Sequence, residues 1–159
     1  MYQLKSKTDS VATPTCIWDW LHDEFGLDIH DPCPLCEYDP AVHTNGLTSD
    51  WGSVNYVNPP CSKGYQWVKK AREEWLKGKT CIVLMKTNIT NCKYFAECSA
   101  GAELVFISHK VTFEGYHSPA WFPLMFVVYH AGKTMNSFRC VNLLKNFLDA
   151  VGHGQGTTD

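Results

Sequence analysis

The nine residues Val54-Asn55-Tyr56-Val57-Asn58-Pro59-Pro60-Cys61-Ser62 constrain this chain more than any other stretch. A short β-prone run ends abruptly in Asn-Pro-Pro. Two successive prolines lack N–H donors and fix φ, so a strand cannot continue through them. Asn58 precedes a proline and is pushed toward extended geometry. The expected result is a stiff loop at the C-terminal edge of a strand. It holds one amide side chain and two proline-flanked carbonyls in fixed positions. In open α/β sheets that edge is where ligands bind.

Asn-Pro-Pro-aromatic is the catalytic tetrapeptide of methyltransferases that act on nucleobase amino groups, and Asn58-Pro59-Pro60-Cys61 resembles it in three of its four positions. The chemistry accounts for the residue types. The lone pair of an exocyclic amino nitrogen is delocalised into the ring. An Asn58 side-chain oxygen and a Pro59 carbonyl that each accept one amino hydrogen make the nitrogen more tetrahedral and aim its lone pair. That is positioning and electrostatic stabilisation, with no covalent intermediate. An ordinary loop with two prolines has the same local sequence, so the surroundings decide between the two.

At 159 residues, 45% apolar and 19% charged, the chain reads as one globular domain. Met1 to Ser10 is polar, and the longest apolar stretch, Trp121 to Tyr129, is too short to span a bilayer. The expectation is an intracellular protein, neither secreted nor membrane-bound. The cysteines, Cys33 and Cys36 included, are then expected as reduced thiols. Charge is unevenly spread. Residues 1–50 hold two Lys against nine Asp/Glu, whereas residues 51–159 hold twelve Lys/Arg against seven acids. The densest basic segment, Lys63, Lys69, Lys70, Arg72, Lys77 and Lys79, directly follows the Asn-Pro-Pro loop. A polyanion such as DNA is expected on this side. A solvated helix face with Glu73 and Glu74 as neighbours is the alternative.

Taken in order, residues 1–12 read as a flexible N-terminal arm. Thr13-Pro14 reads as N-cap and first-turn proline of a helix carrying Ile17, Trp18, Leu21 and Phe25, closed by Gly26. Leu27–His30 can form a short strand, followed by an irregular connection to about Gly52. Ser53–Val57 is the strand entering the central motif. Tyr65–Lys77 reads as a helix. Thr80–Lys86, Glu103–Ser108 and Pro123–Tyr129 read as buried strands. Asn91–Ala100 is a short helix, and Lys110–Phe113 a further strand. Thr134–Ala150 is expected as a helix, and residues 152–159 as a disordered tail. Trp121 and Phe122, between Pro119 and Pro123, belong to a loop that either packs or meets DNA. Strands alternating with helices point to an α/β domain over residues 13–151 with a mostly parallel sheet flanked by helices.

With these elements placed, residues 13 to 130 resemble the phage-type DNA N-6-adenine methyltransferase family. The resemblance rests on an ordered set: Thr13-Pro14, Phe25-Gly26 with Asp31-Pro32-Cys33, Asn45-Gly46-Leu47 with Asp50-Trp51, Asn58-Pro59-Pro60, Trp67-Val68-Lys69-Lys70-Ala71, and His109-Lys110-Val111-Thr112-Phe113. It implies a Rossmann-like fold, S-adenosylmethionine as methyl donor, adenine in DNA as acceptor and a viral or prophage source. That source would put the protein in the host cytoplasm or nucleus. Carried over, Asn58, Pro59, Pro60 and Cys61 are the catalytic loop. Asp31 contacts the cofactor's ammonium or ribose, Thr13, Pro14 and Cys33 lie nearby, and Asp50 and Trp51 flank its adenine. Lys63, Tyr65, Lys69, Lys70, Arg72, His109 and Lys110 face DNA. No Gly-x-Gly-x-x-Gly is present, so the Asp31-Pro32-Cys33-Pro34 turn takes the place of a glycine-rich loop.

Two departures stand out. Cys61 replaces the aromatic that stacks on the base, and His109 or Lys110 replaces the family's arginine. They fit a second reading, a methyltransferase-fold protein without catalysis that serves as a viral structural or DNA-binding component. A third reading is a zinc module built on Cys33-Pro34-Leu35-Cys36 with His22, His30 and His43. With no second Cys-x-x-Cys to complete the four ligands, we assign no metal. The motif serves adenine and cytosine amino groups alike.

Overall fold

The computed structural model describes residues 10–34 and 44–144. Within these residues, three helices sandwich one five-stranded sheet. The helices are α1 (Thr15–Phe25), α2 (Gly64–Leu76) and α3 (Phe95–Ser99), and the strands are β1 (Val54–Val57), β2 (Thr80–Lys86), β3 (Glu103–Ile107), β4 (Leu124–Tyr129) and β5 (Ser137–Val141). The strand order is β1-β2-β4-β3-β5.

The continuous apolar runs follow from burial on both faces. Alternate residues of β2 and β4 enter two separate cores. Ile82, Leu84, Phe126 and Val128 pack beneath α1 with Ile17 and Leu21. Cys81, Val83, Met125 and Val127 pack beneath α2 with Trp67, Val68 and Ala71. Phe126 is fully buried and stacks on Trp20 at 4.4 Å. Truncating it to Ala costs about 3–5 kcal/mol on the usual scale for buried aromatics.

The sheet is mixed, not mostly parallel. β1 pairs with β2 and β3 with β5 in parallel, but β4 is antiparallel to both β2 and β3. The cause is the segment between β3 and β4, residues 108–123, which contains no helix to carry the chain back across the sheet. The chain turns round and β4 inserts between β2 and β3. An apolar strand buried on both faces reads the same in either direction.

Two expected elements take another form. Lys110–Phe113 is not a strand. Val111 and Phe113 alternate because both plug into the α1-side core, and Val111 accepts a hydrogen bond from the loop residue Ala120. Within the expected helix 134–150, Ser137–Val141 is the edge strand β5. The helical spacing of Phe138 and Val141 also fits a strand in which Val141 packs on the core and Phe138 is 76% exposed. Residues 145–150 and the expected tail lie outside the described residues. The first helix begins at Thr15 behind Pro14, without a side-chain cap, and ends at Gly26.

Upstream of β1, His30 makes a parallel bridge to Asn55. Its N–H donates to Val54 at 2.9 Å and its carbonyl accepts from Tyr56 at 3.0 Å. The expected strand Leu27–His30 is thus reduced to this single bridge, which still brings Asp31 and Asn58 out side by side at the same edge of the sheet. The loops after β2 and β3 open at that edge too.

Candidate functional site

A cavity of about 830 Å³ opens at this edge. Asp31, Pro32 and Cys33 line it from one strand end, Asn58 and Pro60 from the next, and Val11, Ala12 and Thr13 from the chain ahead of α1. Trp18 of α1, Trp67 of α2, Lys63 and Glu114 complete much of the wall. Ser10 to Ala12, read from the sequence as part of a free arm, is thus wall of the cavity.

Asn58 is held tightly. Its side-chain Nδ2 donates to the Val11 carbonyl at 2.8 Å and to Thr13 Oγ1 at 3.1 Å. A main-chain carbonyl only accepts, so the nitrogen end of the amide must face Val11. Both amide hydrogens are used, and the side-chain oxygen is the end left to act as acceptor. Thr13 Oγ1 in turn lies 3.2 Å from the hydroxyl of Tyr56, a fully buried residue of β1. Burial holds the Tyr56 phenol far above its usual pKa, so it is neutral. Pro59 is buried, and the Pro60 carbonyl accepts the Lys63 N–H at 2.9 Å in the 3₁₀ turn Cys61–Lys63. Cys61 is exposed and does not line the cavity.

Asp31 closes a turn by accepting the Cys33 N–H at 2.9 Å. Burial raises its pKa despite that hydrogen bond. Among the described residues Asp31 makes no ion pair, and a half-buried carboxylate so placed gains from a cationic or hydroxyl-bearing ligand. The Trp67 indole N–H is a second unmet demand, being buried without an acceptor on a side chain that lines the cavity. The opposite wall depends on Gly46. A Cβ there would collide with the Pro32 carbonyl and meet the Trp67 ring at 2.9 Å. The Gly46 carbonyl takes the Trp51 indole N–H at 2.7 Å. The volume suits a small-molecule site, for which about 300–1,000 Å³ is usual.

Several expected site residues are elsewhere. Asp50 and Trp51 do not line the cavity. Trp51 is buried against Trp67, and Asp50 pairs with Lys77 at 3.1 Å and Lys79 at 2.8 Å. Pro14 is buried at the start of α1, where its carbonyl accepts from Ile17 and Trp18. Lys70 is only 8% exposed and points at Glu74. Arg72 spends its guanidinium on the Glu97 and Ala100 carbonyls around the end of α3. Both ring nitrogens of His109 are buried without partners, and burial lowers its pKa, so the imidazole is neutral. Lys63, Lys69 and Lys110 remain exposed, and half-exposed Tyr65 leans on Tyr94 at 4.8 Å. Trp121 is 82% exposed in the β3–β4 loop, beside Phe122, whose ring sits under Lys86 at 4.1 Å. Trp18, Val11 and Glu114 also line the cavity without having been singled out as site residues. Trp18 reads as core on a helix face, and a main-chain carbonyl such as that of Val11 leaves no mark in a sequence.

The model of one protein family, DNA N-6-adenine-methyltransferase (Dam), matches residues 2–136. The chain belongs to that family. The Dam match spans the cavity, the Asn58 loop and the whole sheet up to β5, and it carries the expectation of a methyl donor and a DNA substrate. No curated protein and no solved structure matches the chain. No helix among the described residues is long and apolar enough to cross a membrane. Among the described residues no three His, Cys, Asp or Glu side chains are grouped to hold a metal, and Cys36 and His43 lie outside them.

Proposed function

We propose that this Dam-family protein transfers a methyl group from S-adenosylmethionine to the exocyclic amino group of adenine in DNA. The observation that carries the reading is the Asn58 amide, which lines the cavity with both hydrogens committed to Val11 and Thr13.

The cavity suits the donor. Asp31 is a carboxylate ready for an ammonium or ribose hydroxyls, Trp67 brings an unmet N–H, and Trp18 and Trp67 give flat apolar walls. When bound, S-adenosylmethionine supplies a methyl group activated on a sulfonium sulfur. The protein's part is then positional. The Asn58 side-chain oxygen accepts one amino hydrogen and the Pro59 carbonyl accepts the other, holding the nitrogen's lone pair toward the donor. The stiffness of two prolines keeps these acceptors in place through the reaction. A base inside a duplex cannot reach such a cavity, so the target adenine must leave the stack. Lys63, Lys69 and Lys110, with exposed Trp121, are the side chains we assign to the DNA backbone and the opened stack. The setting is intracellular, where DNA and donor meet.

The second reading, a fold kept without catalysis, rests on Cys61, an exposed small residue where a stacking ring belongs. One experiment separates them. The purified protein is incubated with duplex DNA and methyl-labelled donor, and the DNA is digested to nucleosides. Labelled methyladenine is the expected product. Labelled methylcytosine would reassign the acceptor, and donor binding without label in either base would support the second reading.

A further inference from the structure

We infer that the segment Val11–Thr13 is a working part of the catalytic site: the Val11 carbonyl sets which end of the Asn58 amide faces the substrate, and Thr13 and Tyr56 are positioning residues that hold the amide in that orientation. This inference rests on the function proposed above. It assigns Thr13 a role different from the cofactor contact expected by resemblance.

An Asn amide presents two donors at one end and an acceptor at the other, and the two ends have nearly the same shape. Turned round, Asn58 would offer N–H groups to an amino group that needs acceptors, and the reaction geometry would be lost. The fold forbids the turn. Val11, 47 positions earlier in sequence, offers a carbonyl at 2.8 Å that repels oxygen and attracts N–H. Thr13 Oγ1 takes the second hydrogen at 3.1 Å. The hydroxyl at Thr13 has its own partner, the Tyr56 phenol at 3.2 Å, which is anchored in β1 two residues before Asn58. The chain Tyr56–Thr13–Asn58 thus starts on the strand that delivers the Asn-Pro-Pro loop and ends on that loop. Its middle link comes from the segment ahead of α1. Pro14, buried directly after Thr13, fixes that segment's course into the helix. None of these groups carries charge, so the device works at any pH at which the protein is folded.

Thr13→Val keeps the shape and removes the hydroxyl, whereas Thr13→Ser keeps the hydroxyl. We expect Thr13→Val to lower kcat about 10- to 100-fold, the scale of a misplaced catalytic group. S-adenosylmethionine affinity, measured by calorimetry, should stay within about twofold on the same argument. Thr13→Ser should restore most of the rate, and Tyr56→Phe should give a smaller loss of kcat, again without loss of donor affinity. The second readout needs no turnover. In nitrogen-edited NMR the Asn58 side-chain NH₂ pair, assigned by its disappearance in Asn58→Asp, should exchange slowly in the native protein and quickly in Thr13→Val. Native kcat in Thr13→Val with unchanged NH₂ exchange would overturn the inference. So would a fall in donor affinity that matches the fall in kcat, since Thr13 would then be a donor contact. If the native protein binds donor and DNA without methylating, the functional reading fails, and the NMR comparison alone judges whether Thr13 orients Asn58.

Discussion

The ammonium of Lys70 lies 2.6 Å from the carboxylate of Glu74, and both side chains are turned into the protein. Glu74 also meets Lys77 at 2.7 Å, Lys79 at 2.6 Å and the Trp51 N–H at 3.2 Å. One carboxylate thereby ties α2 to the strand that follows it and to the approach to β1. Burial alone would raise the Glu74 pKa, but the three ammonium groups and the N–H outweigh it and hold it far below the usual value. A carboxyl depressed on folding adds stability above its unfolded pKa of about 4.3 and loses it as the pH falls below that. Glu74→Gln should therefore destabilise the protein at pH 7 by about 2–3 kcal/mol. That is somewhat below the value for a fully enclosed pair, because half-exposed Lys77 is screened by solvent. Urea titrations should show this gap narrowing as the pH falls below about 4.3, where the unfolded carboxyl takes up a proton that the native one still refuses, and closing only toward the depressed native pKa. A pH-independent gap would mean that the charge of Glu74 is not what stabilises the site.

Neighbouring Lys69 and Lys70 part company in the same way. Lys69 is exposed and Lys70 buried. Lys69→Glu should weaken DNA binding and lower the slope of log K against log salt by roughly 0.9 for each phosphate that is no longer neutralised. Lys70→Gln should change stability and leave that slope alone. An unchanged slope in Lys69→Glu would place the DNA on another face.

The strands and the first two helices were legible because burial on two faces and an apolar stripe both write themselves into composition. β2 runs over the expected residues, Thr80–Lys86, and α2 is shifted by one. Strand direction was not legible, since it depends on what joins the strands, and residues 108–123 give no periodic signal. β5 was misread because Phe138 and Val141 satisfy a helical period as well as an edge strand's. In the site, the Asn58 loop announced itself through its prolines. Trp51 looked like a ligand contact and proved to be packing, because an aromatic beside a turn has the same sequence in either role. Lys70 looked like a free cation because its partner Glu74, one helical turn on, could equally have been a surface neighbour.

Asp31 offers a test in which stability and function move in opposite directions. Burial raises its pKa on folding, so its contribution falls as pH rises through and beyond the unfolded value of about 3.9. Asp31→Asn should melt at a higher temperature than the native protein at pH 7, with the difference vanishing below about pH 4. The same change should weaken S-adenosylmethionine binding about 10- to 100-fold, the worth of one charge-assisted hydrogen bond. Equal donor affinity in calorimetry would remove Asp31 from the binding site.

Cys61→Tyr restores the ring that this chain lacks. Tyr65 leans on Tyr94 and Trp67 is buried, while Cys61 is exposed at the first position of the turn. A ring at position 61 therefore adds a stacking platform without overpacking. Activity on DNA carrying an unpaired adenine should rise, by up to about tenfold for each ~1.4 kcal/mol gained. A fall in activity would show that other residues already fill that place.

The most direct measurement is single-turnover methylation by Asn58→Ala, run beside calorimetry of donor binding and thermal melting. The side-chain oxygen is the acceptor on which the account depends. The expected result is loss of methyl transfer by at least about 100-fold, with S-adenosylmethionine bound as in the native protein and the fold intact. A variant that binds the donor and still methylates adenine at a near-native rate would contradict the account.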